Sequence, residues 1–357
     1  MSTPEEAAQA FPLAGPVESA SPLSGGNIHD TYLVHAGGKK YVLQRMSAAL
    51  PVDAARLMKN IARVSRHLAG KESNPRRRLA LLLTRDDQPL HRDSGDRVWR
   101  AFDYVGNTVS HETAHNPEQA YEAARAFGRF LALVEDIPLD DFDRVLPHFH
   151  DTPKRFLQFE RALAADVEGR AAGATKEIEF LSARRQQMGL LTGLCESGEM
   201  TERIIHNDTK ISNVLFDEVS GEGLCVVDLD TVMPGLVLYD FGDLVRSAVT
   251  GVREDETDLA KVTLRGDIFA ALTRGFVKEA GALLSPLERG HLVDSVQIIA
   301  MELGMRFLTD HLGGDVYFKT TSVGQNLARA RVQLKIAELF EQQRGQLVAQ
   351  VASLTAL

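Results

Sequence analysis

The apolar positions of the chain change their period part-way along. In residues 31–34 and 41–43 they alternate in short blocks around Gly37-Gly38-Lys39-Lys40, which predicts a hairpin, entered through the turn Ser24-Gly25-Gly26-Asn27. Residues 79–84 and 98–105 predict further strands. Between them Leu57, Ile61, Val64 and Leu68 recur at helical spacing behind Pro51 and Asp53, predicting a helix over 53–69. The first ten residues read as a short helix or a frayed tail. After Gly106 helical periodicity takes over, with helices predicted over 117–135, 153–166, 177–195, 255–280, 286–312 and 323–351. The pattern divides the chain into a small β-rich lobe, 1–105, and a larger, mostly helical lobe, 106–357, an α+β architecture. Residues 204–230 stand apart: they are apolar, punctuated by turns and too short for good helices.

Composition narrows the functions open to such a chain. With 357 residues, 44% of them hydrophobic, there is material for more than one core. A formal net charge of -9 argues against a nucleic-acid binder, which needs an excess of Lys and Arg. Any phosphate is therefore held locally. The two cysteines, Cys195 and Cys225, lack metal-type spacing, and the N-terminus lacks the stages of a signal peptide, so both are read as reduced thiols of a cytoplasmic protein. No apolar run approaches the roughly 20 residues that cross a bilayer. Arg76-Arg77-Arg78 reads as a solvated turn.

The chemistry gathers in the exceptional segment. Val214-Leu215-Phe216, a turn containing Gly221 and Gly223, and Leu224-Cys225-Val226-Val227 predict an antiparallel hairpin. With the turn centred between Ser220 and Gly221, Asn213 faces Asp228 at the open end. Both offer hard oxygen ligands of the kind Mg2+ accepts, with water and phosphate completing its octahedron. Asp208, in the string His206-Asn207-Asp208, lies five residues before Asn213, so one loop supplies a base and a metal ligand. These are the parts phosphoryl transfer requires, since the protein positions the nucleophile, offers it a carboxylate and neutralises the phosphates. Lys210 either screens the transferring phosphate or pairs with Asp208 or Asp230. Asp240-Phe241-Gly242 spells the magnesium motif of protein kinases, but the hairpin gives that role to Asp228. Asp240 is instead expected as a buried carboxylate organising the loop and a helix that begins near Asp243. Gly25, Gly26 and Asn27 form either a mere turn or a backbone cradle for nucleotide phosphates. At the lobe junction, backbone groups around Asp103 and Val105 are placed to pair with adenine.

Together these residues resemble the aminoglycoside-phosphotransferase and choline-kinase superfamily, whose pattern is His-x-Asp-x4-Asn, a hairpin, then Ile/Val-Asp-x-Asp/Glu. More narrowly, Gly26-Asn27-Ile28-His29-Asp30-Thr31-Tyr32, Thr231-Val232-Met233-Pro234-Gly235 and Arg306-Phe307-Leu308-Thr309-Asp310 resemble the N-acetylhexosamine 1-kinases. The resemblance spans nearly the whole chain. It implies a bilobal protein-kinase-like fold, ATP and Mg2+ as cofactors, and an amino sugar phosphorylated on its anomeric hydroxyl. Asp208 would be the base, with His206, Lys210, Asp230 and Asp240 in support and His29, Arg306 and Tyr317 bonding the sugar. A monomer or weak homo-oligomer is expected. One departure stands out: where such kinases carry a basic residue on the third strand, this chain has Gln44, with Arg45 on the opposite face and no Glu partner in 53–69. The catalytic strings leave open another alcohol as acceptor, such as an amino alcohol, homoserine or an aminoglycoside. A binding protein that keeps the fold and a metal-dependent phosphohydrolase are the other readings.

Overall fold

The computed structural model describes residues 2–23, 28–48 and 52–355. Helix α1 (Pro4–Ala8) leads into strands β1 (Val17–Pro22), β2 (Asp30–Ala36) and β3 (Lys39–Arg45), then helix α2 (Ala54–Lys71) and strands β4 (Leu81–Leu82), β5 (His91–Arg92) and β6 (Val98–Asp103). All six strands belong to one antiparallel sheet of order β1-β2-β3-β6-β4, with β5 also on β6. The predicted hairpin is β2–β3, turning through Gly37 and Gly38 at φ +57° and +73°, a backbone region that favours glycine. The N-terminus is not frayed. Thr3 and Glu6 close a capping box, and Ala7, Ala8 and Phe11 are buried with Val34, Leu43 and Trp99 in a small core on one face of the sheet.

The chain continues through β7 (Thr108–Val109), α3 (Pro117–Val134), α4 (Thr152–Ala165), α5 (Thr175–Ala183), α6 (Arg185–Met188), α7 (Leu190–Glu196) and β8 (Arg203–Ile205). Next come β9 (Val214–Asp217), β10 (Gly223–Val226), β11 (Met233–Gly235), α8 (Val237–Ala248), α9 (Gly266–Ala280), α10 (Pro286–Gly290), α11 (Leu292–Leu312), α12 (Gln325–Gln342) and α13 (Arg344–Thr355). These helices bury a second, larger core that extends under α2. The architecture is a bilobal, protein-kinase-like α+β fold.

Several predicted helices are shorter than their periodicity suggested. The 177–195 stretch breaks at Arg184 and Gly189, and 286–312 breaks at His291. The 255–280 stretch becomes helical only at Gly266, because Asp258 turns its carboxylate onto the Ala260 N–H and closes a short 3-10 turn instead. Nor is the arginine run a solvated turn. Arg76 donates to the carbonyls of Gly106 and Asn107 and pairs with Asp217, while Arg77 pairs with Glu222, so the run fastens the sheet lobe to the turn of the β9–β10 hairpin. Among the described residues no helix is long and apolar enough to cross a membrane.

Candidate active site

The loop after β8 owes its shape to α8. Asp240, wholly buried, accepts the N–H of His206 at 2.9 Å on one carboxylate oxygen and that of Asn207 at 2.7 Å on the other. Asp243 accepts the Thr209 N–H at 2.8 Å, and Thr209 returns its hydroxyl to the Asp240 carbonyl. Helix α8 begins at Val237, six residues earlier than Asp243, so both carboxylates are presented from its first turns. Burial pushes the Asp240 carboxyl up to about 7, against the two amides that favour its charged form. Gly242 belongs to the packing: a Cβ there would stand 2.6 Å from the Ser295 carbonyl oxygen, where α8 crosses α11.

Within the loop, His206 lies between Phe127 and Phe130, bonds the Val227 carbonyl through Nε2 and accepts the Asp208 N–H on Nδ1. Burial lowers its pKa, which keeps the ring neutral. Asn207, at φ +64°, turns the chain and ties it to the Thr231 and Met233 carbonyls. Asp208 then projects with one oxygen engaged: Oδ2 accepts Lys210 Nζ at 2.9 Å and Asn213 Nδ2 at 3.0 Å. Oδ1 has no donor among the described residues. Burial pushes this carboxyl up, but Lys210 above all, with Arg246, outweighs it and holds the pKa below the ordinary value. Of the two partners foreseen for Lys210, the structure selects Asp208.

The hairpin register differs from the predicted one. Val214 pairs with Val226, and Val227 donates to the Asn213 carbonyl, so Asn213 faces Val227 and not Asp228. The pair nearest the turn, Gly223 and Phe216, lies two places off the predicted register, and a bulge between Gly223 and Cys225 recovers one of them. Asp228 instead leaves the strand in the left-handed region at φ +62°. Its carboxylate has no hydrogen-bond donor among the described residues, and burial, Asp230 and Asp208 raise its pKa to about 6. An anion lacking a donor, close to two other carboxylates, fits a divalent cation. Asn213 gives its Nδ2 to Asp208, and its amide oxygen, which meets no donor among the described residues, suits the same ion. No group of three or more His, Cys, Asp and Glu able to hold a metal by themselves occurs among the described residues.

Asp230 is held from the sheet lobe. His29 Nε2 approaches it at 2.7 Å and Arg100 Nη1 at 2.5 Å, and these two bases outweigh burial to hold its pKa well below the usual range. His29 Nδ1 accepts the Ser47 N–H, so both ring nitrogens are engaged. Gln44 is engaged too: Nε2 donates to Thr31 and Oε1 accepts from Arg100. Gly25, Gly26 and Asn27 lie outside the described residues. At the junction, the Asp103 N–H donates to Ala80 and the Val105 carbonyl accepts from Thr108, while the Val105 N–H meets no acceptor among the described residues.

Arg306 and Tyr317 form a separate group. The Arg306 guanidinium lies over Phe149 at 5.2 Å and Phe318 at 5.7 Å, and Tyr317, 62% exposed, packs edge-on against Phe318. Arg306 donates to no acceptor among the described residues. A contact chain leads from it to the loop, through Phe149 to His150 and from His150 to Tyr239, the neighbour of Asp240. A groove of about 1390 Å³ on the far side of the hairpin, between His111, Phe216 and Lys278, contains none of these residues. Sequence reasoning missed Arg100. Its signal was a charge inside the apolar run Val98-Trp99-Arg100-Ala101-Phe102.

The fold is similar to that of a microcompartment-associated aminopropanol kinase, at a TM-score of 0.67 and 17% identity over 96% of this chain and 97% of that one. An aminoglycoside phosphotransferase from Alicyclobacillus acidocaldarius subsp. acidocaldarius follows, with a TM-score of 0.65 and 14% identity over 97% of both chains. Spectinomycin phosphotransferase, in complex with ADP and spectinomycin, gives a TM-score of 0.60 and 12% identity over 95% of this chain and 97% of that one. At such identities the likeness is one of fold. The sequence itself matches the phosphotransferase enzyme family (APH) over residues 19–276, which take in the whole loop, the hairpin and Asp240. The chain therefore belongs to the phosphotransferase enzyme family.

Proposed function

We propose that the protein is an ATP- and Mg2+-dependent small-molecule kinase that phosphorylates the anomeric hydroxyl of an N-acetylhexosamine, giving the sugar 1-phosphate. The observation that carries the reading is Asp208, with Oδ2 fixed by Lys210 and Asn213 and Oδ1 open. A sugar hydroxyl hydrogen-bonded to Oδ1 is oriented to attack. Its oxygen bonds to the γ-phosphorus, the bond from that phosphorus to the β,γ-bridging oxygen breaks, ADP leaves, and the hydroxyl proton passes to Asp208. Because the Asp208 pKa is held low, the carboxylate is charged at neutral pH and takes the proton late. Mg2+ at Asn213 and Asp228 would supply charge neutralisation for the phosphates. On this reading the sheet lobe, 1–105, holds the nucleotide, and 106–357 carries the catalytic loop and the acceptor.

Two features support an oxygen-rich acceptor. The fork of Arg306, which meets no acceptor among the described residues and lies over two aromatic rings, suits a carbonyl or hydroxyl oxygen, and the exposed Tyr317 packs against one of those rings. His29 acts in this scheme by steadying Asp230, and bonding the sugar would require it to give up one of its two partners.

The test is product formation from ATP and Mg2+ with N-acetylglucosamine, N-acetylgalactosamine, choline, homoserine and an aminoglycoside, with Asp208→Asn run alongside. Transfer to the anomeric hydroxyl of an N-acetylhexosamine, lost in the variant, supports the proposal. Transfer to another acceptor alone would retain the mechanism and reject the substrate, and phosphate release without an acceptor would point to a hydrolase.

A further inference from the structure

A kinase that binds a nucleotide polyphosphate needs a cation facing it, and at the third-strand position that usually carries one this chain has the neutral Gln44, while the adjacent Arg45 pairs with Asp30 on the other side of the strand. The β3–β6 register places Arg100 directly opposite Gln44. In an antiparallel pair, opposed residues share a face, so Arg100 lies on the same side of the sheet as Gln44. Gln44 Oε1 accepts Arg100 Nε at 2.9 Å, and the guanidinium runs over Phe102 toward the site. Helix α2 meets it with the sulfur of Met58, at 3.7 Å, and not with a carboxylate. Its partner is Asp230, two residues beyond the candidate metal ligand Asp228.

We infer that Arg100 is the cation that receives the nucleotide phosphates, moved one strand across from its usual place, with Gln44 as the residue that positions it. The inference rests on the kinase reading above. Arg100 is only 2% exposed and its charge is matched by Asp230, so it reaches a phosphate by exchanging one anion for another and is never left unpaired. The arrangement explains why Gln stands on β3: a Lys at 44 would set two cations side by side, whereas the amide oxygen accepts from the guanidinium and fixes its plane. It also makes Asp230, which His29 steadies, the counter-ion of Arg100 in the nucleotide-free state.

The decisive measurement is calorimetric titration with Mg2+·ADP and, separately, with adenosine, neither of which depends on the acceptor. Arg100→Gln is expected to weaken ADP by about 10- to 100-fold, the range for losing a charge-assisted contact to phosphate, and to leave adenosine within about twofold. Adding Gln44→Lys to that variant is expected to restore much of the ADP affinity without changing adenosine. Equal weakening of both ligands, or no weakening of ADP, overturns the inference. If thermal melting shows that Arg100→Gln does not fold, Arg100→Lys serves instead: retention of ADP selectivity over adenosine supports the assignment, and loss of it refutes it. Should the native protein bind neither ligand, the kinase reading itself fails, an outcome distinct from native binding that Arg100→Gln leaves intact.

Discussion

Asp240 receives the backbone N–H of Asn207 at 2.7 Å across 33 residues of sequence, and with its second oxygen it receives that of His206. One side chain on α8 thus sets the path of the loop that ends in Asp208. Asp240→Ala strands two buried amides, at about 1–3 kcal/mol each, partly offset by removing a carboxylate whose own burial is unfavourable. Phosphotransfer is expected to fall by about 100-fold through misplacement of Asp208, with nucleotide affinity reduced much less. A variant that melts lower but turns over normally would show that the loop keeps its shape unaided.

Asp208→Asn keeps the size of the side chain and removes the proton acceptor. The expected result is a kcat lower by about 100- to 10,000-fold with unchanged Mg2+·ADP affinity. Stopped-assay kinetics alongside calorimetry separate these quantities. A kcat within tenfold of native would mean that Asp208 is not the base.

Gly242→Ala introduces a Cβ 2.6 Å from the Ser295 carbonyl oxygen, with Ile299 Cγ1 at 3.0 Å. The backbone of α11 gives way less readily than a side chain would, so the cost is expected at about 1–3 kcal/mol, read from a denaturation midpoint. If Gly242 served instead as a flexible hinge, activity would fall with no change in stability.

Acid should loosen the sheet lobe in a way that Trp99 reports. Asp93 accepts Trp99 Nε1 at 3.0 Å and pairs with Arg97, and these contacts outweigh burial to hold its pKa well below 3.8. A lowered native pKa means that the stabilisation is complete above the unfolded value and is lost as pH falls through the native one. Fluorescence of Trp99, the only tryptophan, is expected to stay constant at neutral pH and to change below about pH 4. In Asp93→Asn that acid step should disappear; its persistence would place the sensitivity elsewhere.

The local strings determined a great deal. Alternation around Gly37-Gly38 is sufficient for β2–β3, because such a turn needs positive φ and the flanking residues have a buried face. Likewise Asp53 and the spacing of Leu57, Ile61, Val64 and Leu68 specify α2. The order His206, Asp208, Asn213, Asp228 is enough to suggest phosphoryl transfer, since each residue type suits one task and the tasks lie close along the chain. Helix ends were less legible, because Asp258 and Gly189 act through single side-chain or backbone preferences that a periodic pattern does not register.

Relations between distant segments were decided only by the tertiary structure. The register of the β9–β10 hairpin set Asn213 against Val227 and left Asp228 one residue out of line, and the left-handed turn at Asp228 set its carboxylate free. Arg76 became a fastening between lobes, and His29 closed on Asp230. Most telling is Arg100, an anomaly in an apolar strand until the register set it against Gln44 and burial paired it with Asp230. The physical reason is common to all of these. A sequence states the charge and hydrogen-bonding capacity of every residue, but a buried charge must find its partner in space, and which partner it finds depends on how strands separated by dozens of residues come into register.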